Sequence, residues 1–349
     1  MKINVLVRFF IVISLFFSVQ SMVFAEANLY RGLVLASGSN EAQLRKQALE
    51  QVLVKVSGNK DIIKLDESKA LGRQVDSILN QFGYQEIANT SFYYAQFEQQ
   101  KIDDALMSMQ QPIWGETRPV PLVWLVNENR DITSEYMIIS GQDSAVSWGL
   151  KKEEFARGVT VQFPLVDLDD ALAVSASDIR GRFYQNVAQA TTRYGANYFV
   201  LADLAKTSDG KWQLKWDLVS YTENNKQTKV LIKQVNTGTK SYVAGAMLDE
   251  IADYYAKEFA ILESNGQKLT QKITINNIDS LAKLTRLNTV LSNLNAIASF
   301  ETVKINKETI EILVTLKGGL TSLKNALNAQ PNLHNNLLIS TPYYYVWRE

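Results

Sequence analysis

ITINNIDSLAKLTRLNTVLSNLNAIASFETVKINKETIEILVTL, running from Ile273 to Leu316, moves from one apolar rhythm to another and back. Ile273-Thr274-Ile275 alternates as a half-buried strand does, because successive strand side chains point to opposite faces. Ser280 to Leu294 changes to helical spacing. Val303 to Asn306 and Ile310 to Leu316 then return to strand around a Lys307-Glu308 turn. Further on, Leu320 to Leu327 reads as a second helix and Leu333 to Ile339 as a final strand. The order βαββαβ is that of the split βαβ, or ferredoxin-like, unit. That unit hosts many unrelated functions, so it predicts an architecture and no activity.

Upstream, Leu29 to Ala36 reads as a strand, followed by a Ser37-Gly38-Ser39-Asn40 turn. Asn40 suits a helix N-cap, and Glu41 to Val56 carries Ala42, Leu44, Ala48, Leu49, Val52, Leu53 and Val56 on one stripe. Ser57-Gly58-Asn59 supplies the stop, with Gly58 at positive φ just past the helix end. A second helix is expected from Glu67 to Phe82, a strand from Thr90 to Phe97, and a short helix from Asp103 to Met109. Pro112, Gly115 and Pro119 break both periodicities across residues 110–120, which marks a boundary. Pro121 to Val126 is nearly continuous apolar chain, the pattern of a buried central strand. A helix at Ser144 to Arg157, a strand at Val159 to Phe163 and a helix from Asp178 to Tyr194, stopped by Gly195, follow. Asn197 to Leu204, Trp212 to Val219 and Lys229 to Val235 read as strands, with turn signals at Asp209-Gly210 and Asn224-Asn225. The helix Tyr242 to Glu263 ends at Ser264-Asn265-Gly266. The expectation is a multi-domain α/β (α+β) chain of mixed sheets packed with helices. Its parts are a segment 1–25, an N-terminal α/β domain 26–112, a middle α/β domain 113–265 and a C-terminal ferredoxin-like domain 266–349.

The first part is an export signal. Lys2 and Arg8 form a positive region, Phe9 to Val19 an apolar core, and Val23 and Ala25 place small side chains at −3 and −1 of a cleavage site between Ala25 and Glu26. A retained anchor is the rival reading, since a span needs roughly 17–25 residues. Gln20 and Ser21, however, interrupt the apolar run where a spanning helix should continue. A periplasmic or otherwise extracytoplasmic location follows, with the membrane touched only through an uncleaved signal. With no cysteine, the chain has no lipid anchor at a mature N-terminal Cys, no disulfide, no thiol catalysis and no thiolate metal site. Basic and acidic residues number 36 each, and no long basic run appears, which excludes a phosphate-tracking nucleic-acid binder.

Chemistry-bearing motifs are few. His334 is the lone histidine, without the Gly-x-Ser-x-Gly elbow that a serine triad of the hydrolase type would use. Asp167-Leu168-Asp169-Asp170 is the densest acidic cluster but lacks the spacing of a calcium loop, so a helix N-terminus or solvated loop is expected. Asp103-Asp104 is expected as first-turn helix charge. Ser57-Gly58-Asn59-Lys60 lacks phosphate-loop spacing. Arg45 lies beside the apolar stripe of its helix, where it snorkels, pairs with a buried acid or faces a partner. Trp212, Leu214 and Trp216 share one strand face, and Tyr343, Tyr345 and Trp347 another. Such stripes are core, a partner hot spot or a sugar-stacking surface. No catalytic, cofactor-binding or metal-ligating residue is singled out.

Tyr30-x-Gly32-x-Val34, with Arg45-x-x-Ala48-Leu49-x-x-Val52-Leu53-Val54-Lys55-Val56-Ser57-Gly58-Asn59, resembles the opening of an exported gammaproteobacterial family known only as a domain of unknown function. Tyr194-Gly195-Ala196, Val200 to Leu204 and Trp212-x-x-x-Trp216 resemble its middle, and Tyr345-x-Trp347-Arg348 its end, so the likeness runs along nearly the whole exported chain. The middle segment is also similar to the N-terminal modules of Tol-type and curli-secretion-type periplasmic proteins, which implies assembly rather than catalysis. The expected function is therefore a non-catalytic periplasmic interaction or assembly factor for envelope proteins. Its candidate contact residues are Arg45, Trp212, Trp216, Tyr345 and Trp347. The alternatives are a hydrolase of cell wall or glycan, and a glycan or small-ligand binder that uses the aromatic stripes.

Overall fold

Gly32 lets the first strand and first helix meet backbone to backbone. Strand β1 (Arg31–Leu35) lies against helix α1 (Glu41–Ser57), and a Cβ at Gly32 would sit 2.3 Å from the Ala48 carbonyl oxygen. Asn40 caps α1 by accepting from the Gln43 amide, and Gly58 closes it in the left-handed region, both as expected. The computed structural model describes residues 28–38, 40–116, 118–128, 135–138, 140–222, 226–262, 269–330, 332–335 and 342–348. The segment expected as an export signal, with Ala25 and Glu26, the expected Asn224-Asn225 and Ser264-Asn265-Gly266 turns and residues 336–339 lie outside them.

After α1, helix α2 (Asp66–Arg73) gives way to strands β2 (Leu79–Ile87) and β3 (Thr90–Phe97), then helix α3 (Gln99–Ser108). The antiparallel order is β1-β3-β2. The expected helix to Phe82 thus stops early. Leu79 to Phe82 instead pairs with β3, and cross-strand partners outweigh a weak local helical preference. Asp103 falls inside α3 rather than in its first turn, where its carboxylate accepts from the Tyr30 hydroxyl at 2.9 Å.

The run read as a central strand is one. Strand β4 (Leu122–Glu128) pairs with β5 (Glu135–Ile138) on one side. Helices α4 (Ser144–Arg157), α5 (Leu168–Ala173), α6 (Ala176–Arg180) and α7 (Tyr184–Thr191) intervene before strands β6 (Tyr198–Lys206), β7 (Trp212–Thr222) and β8 (Gln227–Gly238) and helix α8 (Lys240–Phe259). The sheet order is β5-β4-β6-β7-β8, with β4 and β6 parallel. One face packs Val123, Val200 and Trp216 against α4 and α8, while the other packs Trp124, Phe199 and Leu201 against α6 and α7. Burial on both faces is why β4 reads as continuous apolar sequence.

Two expectations fail in this unit. Val159 to Phe163 forms only an isolated bridge, Gln162 to Leu122, because β5 occupies that edge of β4 from Leu125 onward. The single helix expected from Asp178 to Tyr194 is broken at Gly181-Arg182-Phe183. There Arg182 takes φ 58° and its guanidinium donates to the Ile179 carbonyl at 2.8 Å. Gly195 ends the second piece in the left-handed region, as expected.

The last unit comprises β9 (Thr270–Asn276), α9 (Leu281–Asn293), β10 (Ile297–Asn306), β11 (Thr309–Leu316), α10 (Leu320–Asn328), β12 (Leu333–Asn335) and β13 (Tyr344–Trp347). The βαββαβ order is present, with one addition. β13 inserts parallel to β9 and separates it from β12, giving β10-β11-β9-β13-β12. The whole is a mixed α/β fold of three sheets. Among the described residues no helix is long and apolar enough to cross a membrane.

Candidate functional site

Where the middle unit meets the last one, a cleft of about 410 Å³ opens. One wall comes from Asn197 and Tyr198 at the head of β6, Tyr221 on β7 and the final turns of α8 with Tyr254, Glu258 and Phe259. The facing wall comes from α10, with Lys324, Asn325 and Asn328, and from β12, with His334 and Asn335. Hydrogen bonds span the two walls. The Asn197 amide donates to the Asn328 carbonyl at 3.2 Å, and the Asn325 amide donates to the Glu258 carbonyl at 3.1 Å and its carboxylate at 3.4 Å. These bonds answer the unpaired carbonyls at the C-terminal ends of α8 and α10.

The tyrosines form a ring cluster. Tyr198 stands edge-on to Tyr255 at 5.4 Å, and Phe259 lies 5.8 Å from Tyr255 in the same geometry. Burial first, and then the neighbouring Tyr254 and Glu258, push the Tyr198 phenol well above its ordinary range. Tyr254 is raised by burial and then by Glu258. Both therefore stay neutral hydroxyls, able to donate and to accept. Glu258 is the one carboxylate on the cleft wall among the described residues. Nowhere among those residues do three or more His, Asp or Glu gather as a metal site would require.

Of the residues singled out from sequence, only His334 lines this cleft. Trp216, Tyr345 and Trp347 are core residues, 0–1% exposed, and present no face to a partner. The Trp216 indole donates to Asn236 at 2.7 Å, and the Tyr345 hydroxyl to Asn328 at 3.2 Å. Trp212 is half-buried beneath the Lys240 ammonium, 4.2 Å from its ring centre. Arg45 pairs not with a buried acid but with the more exposed Glu41 and Asp76, and its guanidinium lies 5.2 Å from the centre of the Phe82 ring. The acidic cluster is structural. Asp167 caps α5, Arg193 clamps Asp167 and Asp170, and the Arg193 hydrogen bond holds Asp167 well below the usual carboxylate range.

A second concentration of charge escaped the sequence reading altogether. Arg118, stacked 3.8 Å over Trp114, donates to the carbonyls of Lys55 and Arg157, the last turns of α1 and α4. Arg157 is 2% exposed and reaches Asp249 and Asp253 on α8, which Lys60 also bridges. Cations at helix C-termini meet the negative end of the helix dipole. This cluster therefore staples the first unit to the second. Only its setting could have announced it: Arg118 stands next to Pro119 in the boundary stretch, four residues past Trp114.

A three-sheet α/β chain with a polar cleft between its last two units is the class defined by these features. Residues 24–115 match the model of a family described as a domain of unknown function, DUF8605. No curated protein matches the chain. Two solved structures of PelC dodecamers from Paraburkholderia phytofirmans are similar over 40% of this chain. One, a point variant, is 13% identical and covered over 88% of its length at a TM-score of 0.23. The second is 14% identical and covered over 87% of its length at a TM-score of 0.21.

Proposed function

We propose that this chain is a non-catalytic saccharide-binding protein, exported by its N-terminal signal, whose ligand lies in the cleft between the middle and last units. The observation that carries the reading is the make-up of that cleft, where tyrosine rings and asparagine amides converge on one concave surface. Aromatic faces accept the apolar faces of pyranose rings, and amides exchange hydrogen bonds with ring hydroxyls. A hydrolase reading has less support, because glycoside cleavage uses a pair of carboxyls and Glu258 stands alone on the cleft wall among the described residues. Titration of the full chain with neutral oligosaccharides by calorimetry tests the proposal. Binding should appear, and Tyr254→Ala should weaken it about threefold to tenfold, the worth of one stacked ring. Failure of every oligosaccharide to bind would sink it.

A second reading, an envelope-assembly contact, has its own support. Phe82 and Tyr84, 48% and 58% exposed, stand on the edge strand β2, and the Arg45 guanidinium of α1 lies by the Phe82 ring. Aromatic residues and arginine are the residue types that dominate interface hot spots. In-cell crosslinking from Tyr84 tests it: a reproducible envelope protein lost in Arg45→Glu supports a partner there, and none removes that reading. Export is tested by N-terminal sequencing of the protein from the periplasmic fraction, with Glu26 as the expected first residue.

A further inference from the structure

We infer that the saccharide recognised by the cleft carries an acetamido group, read by Asn325 and Asn328 on α10 and positioned by Tyr345. This rests on the saccharide reading above. Asn325 and Asn328 lie three residues apart, hence on one face of the helix, and both line the cleft. Their amides are oriented by bonds to Glu258 on the facing wall and to Tyr345 in the core of the last unit. The Asn325 NH2 group is committed to Glu258, at 3.1 Å to its carbonyl and 3.4 Å to its carboxylate, which leaves the Asn325 side-chain carbonyl as an acceptor. The Asn328 side-chain carbonyl is committed to the Tyr345 hydroxyl at 3.2 Å, which leaves its NH2 group as a donor. One turn of helix therefore offers an acceptor followed by a donor. A secondary amide carries the complementary pair, an N–H and a C=O fixed in one plane. A hydroxyl matches the same pair less specifically, since it rotates to suit either partner. The acetyl methyl would find an apolar wall in Tyr254 and Phe259.

Tyr345 is the positioning residue. Its ring is buried in the last unit's core and its hydroxyl donates to the Asn328 side-chain carbonyl, so the amide of Asn328 is set from the core. The test compares fully N-acetylated chitotriose (chitotriose below) with cellotriose, which share linkage and ring and differ in the acetamido group, by calorimetry on the full chain. Chitotriose should bind about tenfold more tightly, the equivalent of one to two net hydrogen bonds. Asn328→Asp replaces the donor with an acceptor at an exposed position and should erase that preference. Tyr345→Phe keeps the core ring, and should reduce the preference while leaving the melting temperature nearly unchanged. Equal binding of the two sugars overturns the acetamido inference and leaves the saccharide reading standing. Binding of neither overturns the acetamido inference, the saccharide reading falling only if every oligosaccharide fails, and a preference that survives Asn328→Asp overturns the assignment to this pair.

Discussion

Lys55 is 5% exposed and donates its ammonium to the Arg31 carbonyl at 2.8 Å, with Arg118 and Arg31 as its charged neighbours. Burial first, then those two cations, push its pKa down to about 7 from an ordinary 10.5. Between these values the unfolded chain holds a proton that the folded chain has released, so stability rises with pH. We expect urea midpoints to climb from pH 7 to pH 9 in the native protein. In Lys55→Met the climb should shrink and the pH 7 midpoint should be higher, which paired denaturation curves at the two pH values would check. Gly149 carries a different constraint. A Cβ there would sit 2.0 Å from the Ser241 carbonyl oxygen, where α4 crosses α8, and backbone cannot swing aside. Gly149→Ala should cost about 1–3 kcal/mol through overpacking, measured by chemical denaturation. Sequence marks a glycine at 149 but cannot say that a second helix, ninety residues on, passes so close.

At the scale of elements, Arg118 ties two helix ends together from the boundary stretch. Arg118→Met should lower stability by about 3 kcal/mol or more, because carbonyls served by one buried guanidinium lose a charged donor together. Arg118→Lys should not restore it, since an ammonium lacks the planar fork that reaches several carbonyls. The other decisive element is β13. It is the hydrogen-bonded neighbour of β12 and stands between β12 and β9. Deleting residues 344–349 should expose the last unit to limited proteolysis and spare the first two, as mass spectrometry of the fragments would show. α1, α4 and β9 to β11 are legible in the sequence because each carries caps or a clean periodicity. The start of β2 reads as helix because its strand character comes from β3 rather than from its own residues. The break at Arg182 is hidden for a like reason: part of what holds it is the Lys215 carbonyl, on β7 across the fold.

The molecule as a whole places its candidate site where no single segment could announce it. Asn197, Tyr254, Asn325 and His334 are scattered over 138 residues and meet only because α8 and α10 bring two units together. The aromatic stripes read from sequence went the other way, since alternation shows which residues share a face but not whether that face is covered. α8 covers Trp216, and the helices of the last unit cover Tyr345 and Trp347. Local pattern alone determined the mixed α/β class, the buried central strand and the βαββαβ order. Periodicity, caps and turn residues act over a few positions and are written in the chain itself. The insertion of β13, the Arg118 staple and the cleft were decided by tertiary structure, because each depends on which distant surfaces come to rest against one another.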